Sequence, residues 1–198
     1  MKIITREFYN RNTIVVAKDL LGKILVRVVG NKILSGIIVE SEAYRSIDDP
    51  ASHSYKGKTE RNNVMFGEVG HAYVYFTYGI HYCLNIVAKE HSIPAGAILI
   101  RAIEPIEGIE QMQKFRKTND LYNLTNGPGK LTKALNVTKK QNGVDVVKKD
   151  EIYILNGREI DNSSIIATSR IGISTALDKQ WRFLITSNKF VSRRVRIN

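Results

Sequence analysis

β-Branched and other apolar residues dominate Lys23–Val29 and Ile33–Ala43, with Gly30-Asn31-Lys32 between them. That pattern predicts two strands joined by a hairpin turn. A second hairpin is expected from Ala72–Thr77 and His81–Ala88, with Tyr78-Gly79 at its tip. Ala97–Ala102 reads as a further strand and Pro105–Lys117 as a helix. Asn12-Thr13 has the character of an N-cap for a short helix through Leu21 that Gly22 closes. Gly127-Pro128-Gly129-Lys130-Leu131 precedes a helical pattern through Leu135, and the polar stretch Arg45–Arg61 is a loop or short helix. From Asp150 to Val191, short strands alternate with turns such as Asn156-Gly157. With no repeat, low-complexity segment or long linker, the sum is a single α+β domain over residues 1–198. Its expected centre is a curved, largely antiparallel sheet, flanked by helices and carrying a protruding β-hairpin.

Strand side chains repeat every two residues, so Glu40 and Glu42 fall on one face of the second strand. Tyr44 follows at once, and Ser52-His53-Ser54 lies nine residues beyond Tyr44's neighbour Ala43. A carboxylate, a phenol and an imidazole are therefore close in the chain. Tyr73-Val74-Tyr75-Phe76-Thr77-Tyr78-Gly79, then Asn85, add flat aromatic surfaces. Aromatic faces around a carboxylate suit an extruded nucleobase better than a sugar, a peptide or a phosphate. At the hairpin apex, Tyr78 is either an exposed wedge that fills the gap left by such a base or an aromatic packed under a loop. His71, His81 and His91 recur every ten residues, a spacing that matches no metal site, so no metal or cofactor is expected.

Charge sharpens this picture. Thirty Lys and Arg against 19 Asp and Glu leave a formal net charge of +11, spread along the chain with a denser run at Arg193, Arg194 and Arg196. A folded face that tracks phosphates accounts for that spread, as does solubility alone. The one cysteine, Cys83, excludes an internal disulfide or a cysteine-based zinc cluster. No apolar run reaches the roughly 18–20 residues of a membrane span, and charge appears too early in Met1–Glu7 for a secretory signal. The expected location is the cytoplasm, or the nucleus if the source is eukaryotic. Gly127–Leu131 imitates a phosphate loop only in part, since Leu131 stands at the Ser/Thr position and Tyr122 where the first glycine belongs.

In order and spacing, several segments resemble the alkyladenine (3-methyladenine) DNA glycosylase family, the type without a helix-hairpin-helix. They are Val39–Tyr44, Ala51–Ser54, Arg61–Phe66, Tyr73–Gly79, Cys83–Asn85 and Ile100–Pro105, with Gly127–Leu131 and Arg170–Gly172 downstream. The likeness runs from about Phe8 to Val191. It departs at Glu60, where many members carry proline.

The resemblance implies an enzyme that flips a damaged purine out of duplex DNA and hydrolyses its N-glycosidic bond. Glu42 would activate the water, and Glu40, on the same face, is the competing carboxylate. Tyr44, His53 and Tyr75 match positions that sandwich the base. Asn85 matches one that collides with the exocyclic amino group of guanine, and Tyr78 matches the wedge. Arg101 matches a cationic position near the flipped nucleotide, with a buried salt bridge to Glu104 or another acid as the alternative. Arg61, Lys130 and Arg170 fall in matched segments and are implied DNA contacts. No lysine stands as an obvious Schiff-base nucleophile, so the resemblance implies a monofunctional hydrolase that acts as a monomer. A non-catalytic nucleic-acid module and a small-molecule acyl transferase are the other readings this sequence admits.

Overall fold

The computed structural model of the chain describes residues 1–192, so the basic run at Arg193, Arg194 and Arg196 lies outside the described residues. Two short helices open the chain, α1 (Arg6–Tyr9) and α2 (Thr13–Asp19). The Asn12 side chain accepts the Ile14 and Val15 N–H groups and so caps α2, while Gly22 takes the left-handed φ of 84° that lets the chain turn into the sheet. β1 (Ile24–Val29) and β2 (Lys32–Arg45) form the expected first hairpin, and β3 (Ala72–Thr77) and β4 (His81–Val87) form the second. There follow β5 (Gly96–Glu107), α3 (Ile109–Arg116), α4 (Pro128–Ala134), β6 (Ile152–Leu155), β7 (Ile165–Thr168) and β8 (Arg182–Ile185).

All pairings are antiparallel, in the order β3-β4-β5-β2-β1-β6, with β8 joining β2 and β7 joining β8. β2 organises the sheet. One of its edges pairs with β5 along most of its length; the other pairs with β1 over Lys32–Ile37 and then with β8 over Glu40–Glu42. The β2–β5 register shifts on either side of Glu40, and such irregularities bend a strand and increase its twist. The sheet therefore curls into a half-barrel. Leu20, Leu84, Ile98, Ile100 and Ile103, with Leu131 and Leu135 at the α4 end, belong to one continuous core.

One expectation needs correction. Pro105 does not start a helix: β5 continues through it to Glu107, and the helix begins at Ile109. Proline lacks the N–H that a ladder needs, but Pro105 lies opposite Gly36, where the β2 register shifts, and an irregularity of that kind accommodates it. The turn out of β5 is made by Gly108 at φ 74°, where an added Cβ would fall against the Leu34 side chain and within 2.5 Å of the Ile33 carbonyl oxygen. Gly108→Ala combines an unfavourable φ with a clash in the backbone, so a loss of roughly 1–3 kcal/mol is expected. Urea unfolding of the two proteins measures it; a difference under a few tenths would show that the turn relaxes freely.

Candidate active site

A cavity of about 180 Å³ opens at the β3–β4 end of the sheet. That is smaller than the roughly 300–1,000 Å³ of drug-sized pockets and suits one flat ring system. Tyr44 from β2, Tyr73 and Tyr75 from β3, Asn85 from β4 and Arg101 from β5 line it, and His53 and Ile171 close it from two irregular segments. Four tyrosines and two histidines, Tyr44, Tyr73, Tyr75, Tyr78, His53 and His81, supply its aromatic surface. His53 and Tyr75 meet edge to face, with ring centres 4.6 Å apart and planes at 72°, so together they make a corner, while Tyr44 contributes from a different strand.

Each ring is held by polar contacts behind it. His53 Nδ1 lies 3.0 Å from the Tyr73 hydroxyl, and Asn62 Nδ2 donates to the His53 carbonyl at 2.8 Å. Partial desolvation and the nearby Arg61 guanidinium push the His53 imidazole below its ordinary value, which favours the neutral ring. Burial alone accounts for most of the rise of the Tyr73 phenol, pushed up to about 12. Burial, reinforced by the Glu42 carboxylate, places the Tyr44 phenol well above the usual tyrosine value, so Tyr44 remains a hydrogen-bond donor. Asn85, on β4 directly opposite Tyr73, donates to the Tyr73 carbonyl at 3.0 Å and is otherwise buried at the cavity wall.

Glu42 is fully buried and lies just behind the wall, not on it. Its Oε2 accepts the Tyr44 O–H at 2.8 Å; its Oε1 accepts the Ile171 N–H at 2.8 Å and stands 3.3 Å from an Arg101 guanidinium nitrogen. All three of these partners line the cavity. A carboxylate offers about four lone-pair directions, so these donors leave Glu42 capacity for one more, such as a water.

Glu40 differs. Its Oε1 takes Arg101 Nε at 2.8 Å, Arg182 Nε at 2.7 Å and the Ser192 hydroxyl at 2.8 Å, and its Oε2 takes the Ser192 N–H. Four donors converge on it, three of them on one oxygen. Burial pushes this carboxyl up, but Arg101, Arg182 and the Ser192 N–H more than offset it and hold Glu40 below the usual carboxylate range. The two acids share a face, as the strand period required, yet all three donors to Glu42 line the cavity, whereas of those on Glu40 only Arg101 does.

The cationic side chains divide into two groups. Arg61 is exposed at the rim, 5.4 Å over the Tyr75 ring, and donates to the Phe76 carbonyl. Tyr78 is 76 % exposed at the hairpin tip. Positive φ at both Tyr78 and Gly79 (50° and 68°), with the Ile80 N–H bonded to the Thr77 carbonyl, matches the turn geometry favoured in tight hairpins. The packed-under alternative for Tyr78 therefore falls away. Arg101 is buried and ion-paired to Glu40 and Glu42, the alternative weighed for it, although Glu104 is not the partner: that side chain accepts from Asn188 instead. Arg170, expected on the DNA face, has a fully buried side chain spent on Asp49 and the Ala43 carbonyl. Lys130 sits inside α4, not ahead of it, with its ammonium on the Asn123 and Asn126 side chains. Arg170 is thus not free for a phosphate, whereas Lys130 keeps its charge and meets only neutral acceptors.

Sequence reasoning placed Tyr73 in the aromatic cluster but gave it no role of its own, although it shares the inward face of β3 with Tyr75 by strand period. It also missed Asp49, whose partner Arg170 is 121 residues away and leaves no local signal. Among the described residues, no group of three or more His, Cys, Asp or Glu could hold a metal ion, and no helix is long and apolar enough to cross a membrane.

The family profile described as methylpurine-DNA glycosylase (MPG) matches residues 7–189. The chain belongs to that family. The matched span contains every residue of the cavity wall and both members of the Asp49–Arg170 pair. Curated relatives agree in length as well as sequence, and each carries the name "Putative 3-methyladenine DNA glycosylase". One from Clostridium acetobutylicum is 51 % identical, covering 97 % of this chain and 98 % of its own. One from Carboxydothermus hydrogenoformans is 46 % identical, covering 97 % and 100 %. One from Francisella tularensis is 51 % identical, covering 92 % and 94 %. The family likeness read from the short motifs thus extends over nearly the whole methylpurine-DNA glycosylase fold seen in this chain.

The convergence of donors on Glu40 predicts a role in stability. Its folded value is depressed, so the stabilisation is complete above the unfolded carboxyl value of about 4.3 and is lost as pH falls through the folded value. Glu40→Gln should cost about 3 kcal/mol at pH 7, since it removes one anion from a buried ion-pair network that includes Arg101 and Arg182. In urea titrations across pH, the gap between wild type and variant should shrink below about pH 4.3; a gap independent of pH would remove the charge from the explanation.

Proposed function

We propose that this chain is a DNA repair glycosylase that extrudes an alkylated or deaminated purine from duplex DNA into the aromatic cavity. It hydrolyses the N-glycosidic bond there and leaves an abasic site. The observation that carries the reading is the placement of one buried carboxylate with spare acceptor capacity directly behind a cavity of single-ring-system size walled by tyrosines and a neutral histidine. Family membership and the names of the relatives support the chemical class.

Glu42 accepts a proton from water at the seam between Tyr44, Arg101 and Ile171 and aims the oxygen at the anomeric carbon. Most glycosidases employ two carboxylates because the leaving oxygen must be protonated. An N-alkylated purine already carries positive charge and leaves without that help, so one carboxylate suffices for it; a deaminated purine is neutral and must also be protonated as it leaves, which a carboxylate acting only as base does not supply. The neutral state of His53 fits the same substrate, because an imidazolium in the wall would repel a cationic base. Stacking on the cavity rings contributes roughly 1–3 kcal/mol per contact, enough to offset much of the few kcal/mol lost on unstacking. Tyr78 enters the space vacated in the duplex, and Arg61 at the rim meets a phosphate. Asn85 is set to collide with the amino group of guanine, which excludes an undamaged base present in vast excess. No lysine takes part, so the enzyme is monofunctional, and one nucleotide in one cavity asks only for a monomer.

Base release from duplexes that each contain one defined lesion tests the reading. Glu42→Gln should lower single-turnover release by at least about 100-fold while the affinity for lesion DNA persists. A variant that excises at the wild-type rate would remove Glu42 from the reaction. Asn85→Ser should raise release of normal guanine relative to 3-methyladenine, which lacks the 2-amino group, by roughly tenfold. Unchanged selectivity would assign discrimination to other side chains.

A further inference from the structure

Behind the wall lies a pair that the proposed chemistry does not use directly. Arg170 donates to both oxygens of Asp49, at 2.6 Å each, and to the Ala43 carbonyl at 2.9 Å. Neither of these two side chains has any exposed surface. Asp49 is held in turn by the Arg45 and Ala51 N–H groups. The Arg170 guanidinium also lies over the Tyr44 ring, 4.5 Å from its centre, and Trp181 backs it at 5.3 Å. Arg170 does not reach the cavity, whereas Tyr44 does.

The placement of Arg170 bears on Glu42 by two routes. Tyr44, on which it stacks, donates its O–H to Glu42. Ile171, the next residue in the chain, donates its N–H to Glu42. Ile171 belongs to the irregular stretch between β7 and β8, so no strand ladder or helix orients that amide. Gly172 follows at φ 79°, a position that adds backbone freedom, not restraint. The Arg170 side chain is the adjoining anchor, and it ties this stretch both to the Asp48-Asp49 turn and to the β2 backbone.

We propose that Arg170 and Asp49 form a positioning pair that holds the Tyr44 hydroxyl and the Ile171 amide on the Glu42 carboxylate, and so orients it toward the reacting water. The proposal rests on the reading of Glu42 given above. A bidentate planar fork matters for it: a guanidinium satisfies Asp49 and Ala43 together while its flat face covers the Tyr44 ring, and an ammonium can do only part of this. The pair touches no substrate and contributes through geometry, where small displacements carry large rate penalties.

Arg170→Lys keeps the charge beside Asp49 and removes the fork. The expected result is a single-turnover excision rate lower by roughly 10- to 100-fold, with affinity for lesion DNA changed by less than about threefold. Native-state hydrogen exchange supplies the second readout: the Ile171 amide should exchange at least about tenfold faster, while amides of β2 and β5 keep their protection. Should Arg170→Lys fail to fold, Asp49→Asn, which keeps an acceptor and removes the anion, carries the same expectations. An unaltered rate in a folded variant overturns the proposal. So does an equal loss of rate and affinity, which would make Arg170 a binding residue, and so does an Ile171 amide as protected as before. Glu42→Gln, assayed in parallel, separates the two readings: an active Glu42→Gln defeats the role of Glu42, whereas an inactive one beside a fully active Arg170→Lys defeats only the positioning pair.

Discussion

Charge neutrality inside the curled sheet is the constraint on which the rest of the site depends. Glu40, Glu42 and Asp49 are fully buried, and the side chains that neutralise them, Arg101, Arg170 and Arg182, are nearly so. An isolated buried carboxylate would cost several kcal/mol or take up a proton. Three acids facing three guanidinium groups avoid both outcomes. The bend in β2 lets this happen: where β1 ends and β8 begins, Glu40 and Glu42 turn to the same interior side and share Arg101. The arrangement is weak evidence for stability, because well-packed apolar side chains would often do as well. Its value lies in placing a buried, ion-paired carboxylate directly beside the cavity.

The same network separates two carboxylates that are chemically alike. Glu40 takes four donors from two arginines and Ser192, and its protonation is held off by those charges. Glu42 shares only Arg101 among the arginines and takes its other donors from Tyr44 and the Ile171 backbone. One acid thus braces the sheet and the other is available to a water. The aromatic wall completes the division of labour. Tyr44 presents its ring to the cavity and its hydroxyl to Glu42, so stacking and carboxylate orientation meet in one side chain.

Much of this was legible in the chain. Both hairpins, the short capped helix near the N-terminus and the α+β class followed from β-branched runs, turn residues and the Asn12 cap, which are local signals. The length of β5 was not legible, because Pro105 reads as a helix start or a break unless its partner strand is seen to shift register at Gly36. Glu42, Tyr44, His53, Tyr75 and Asn85 were named from the sequence, and the fold brings them to one place. Arg101, Arg170 and Lys130 were read as contacts to DNA, and all three turned out to be occupied by protein acceptors.

The difference has a physical basis. Residue type and period by themselves determined which side chains could stack, donate or accept, and which face of a strand each occupied, since those properties depend on neighbours within a few positions. Whether a given charge meets a phosphate or a buried carboxylate depends on what lies across the sheet. Partners such as Asp49 and Arg170, or Glu40 and Arg182, are more than a hundred residues apart and leave no trace in local spacing. Only the tertiary structure decided those pairings, and with them which of two neighbouring glutamates has its donors in the cavity wall.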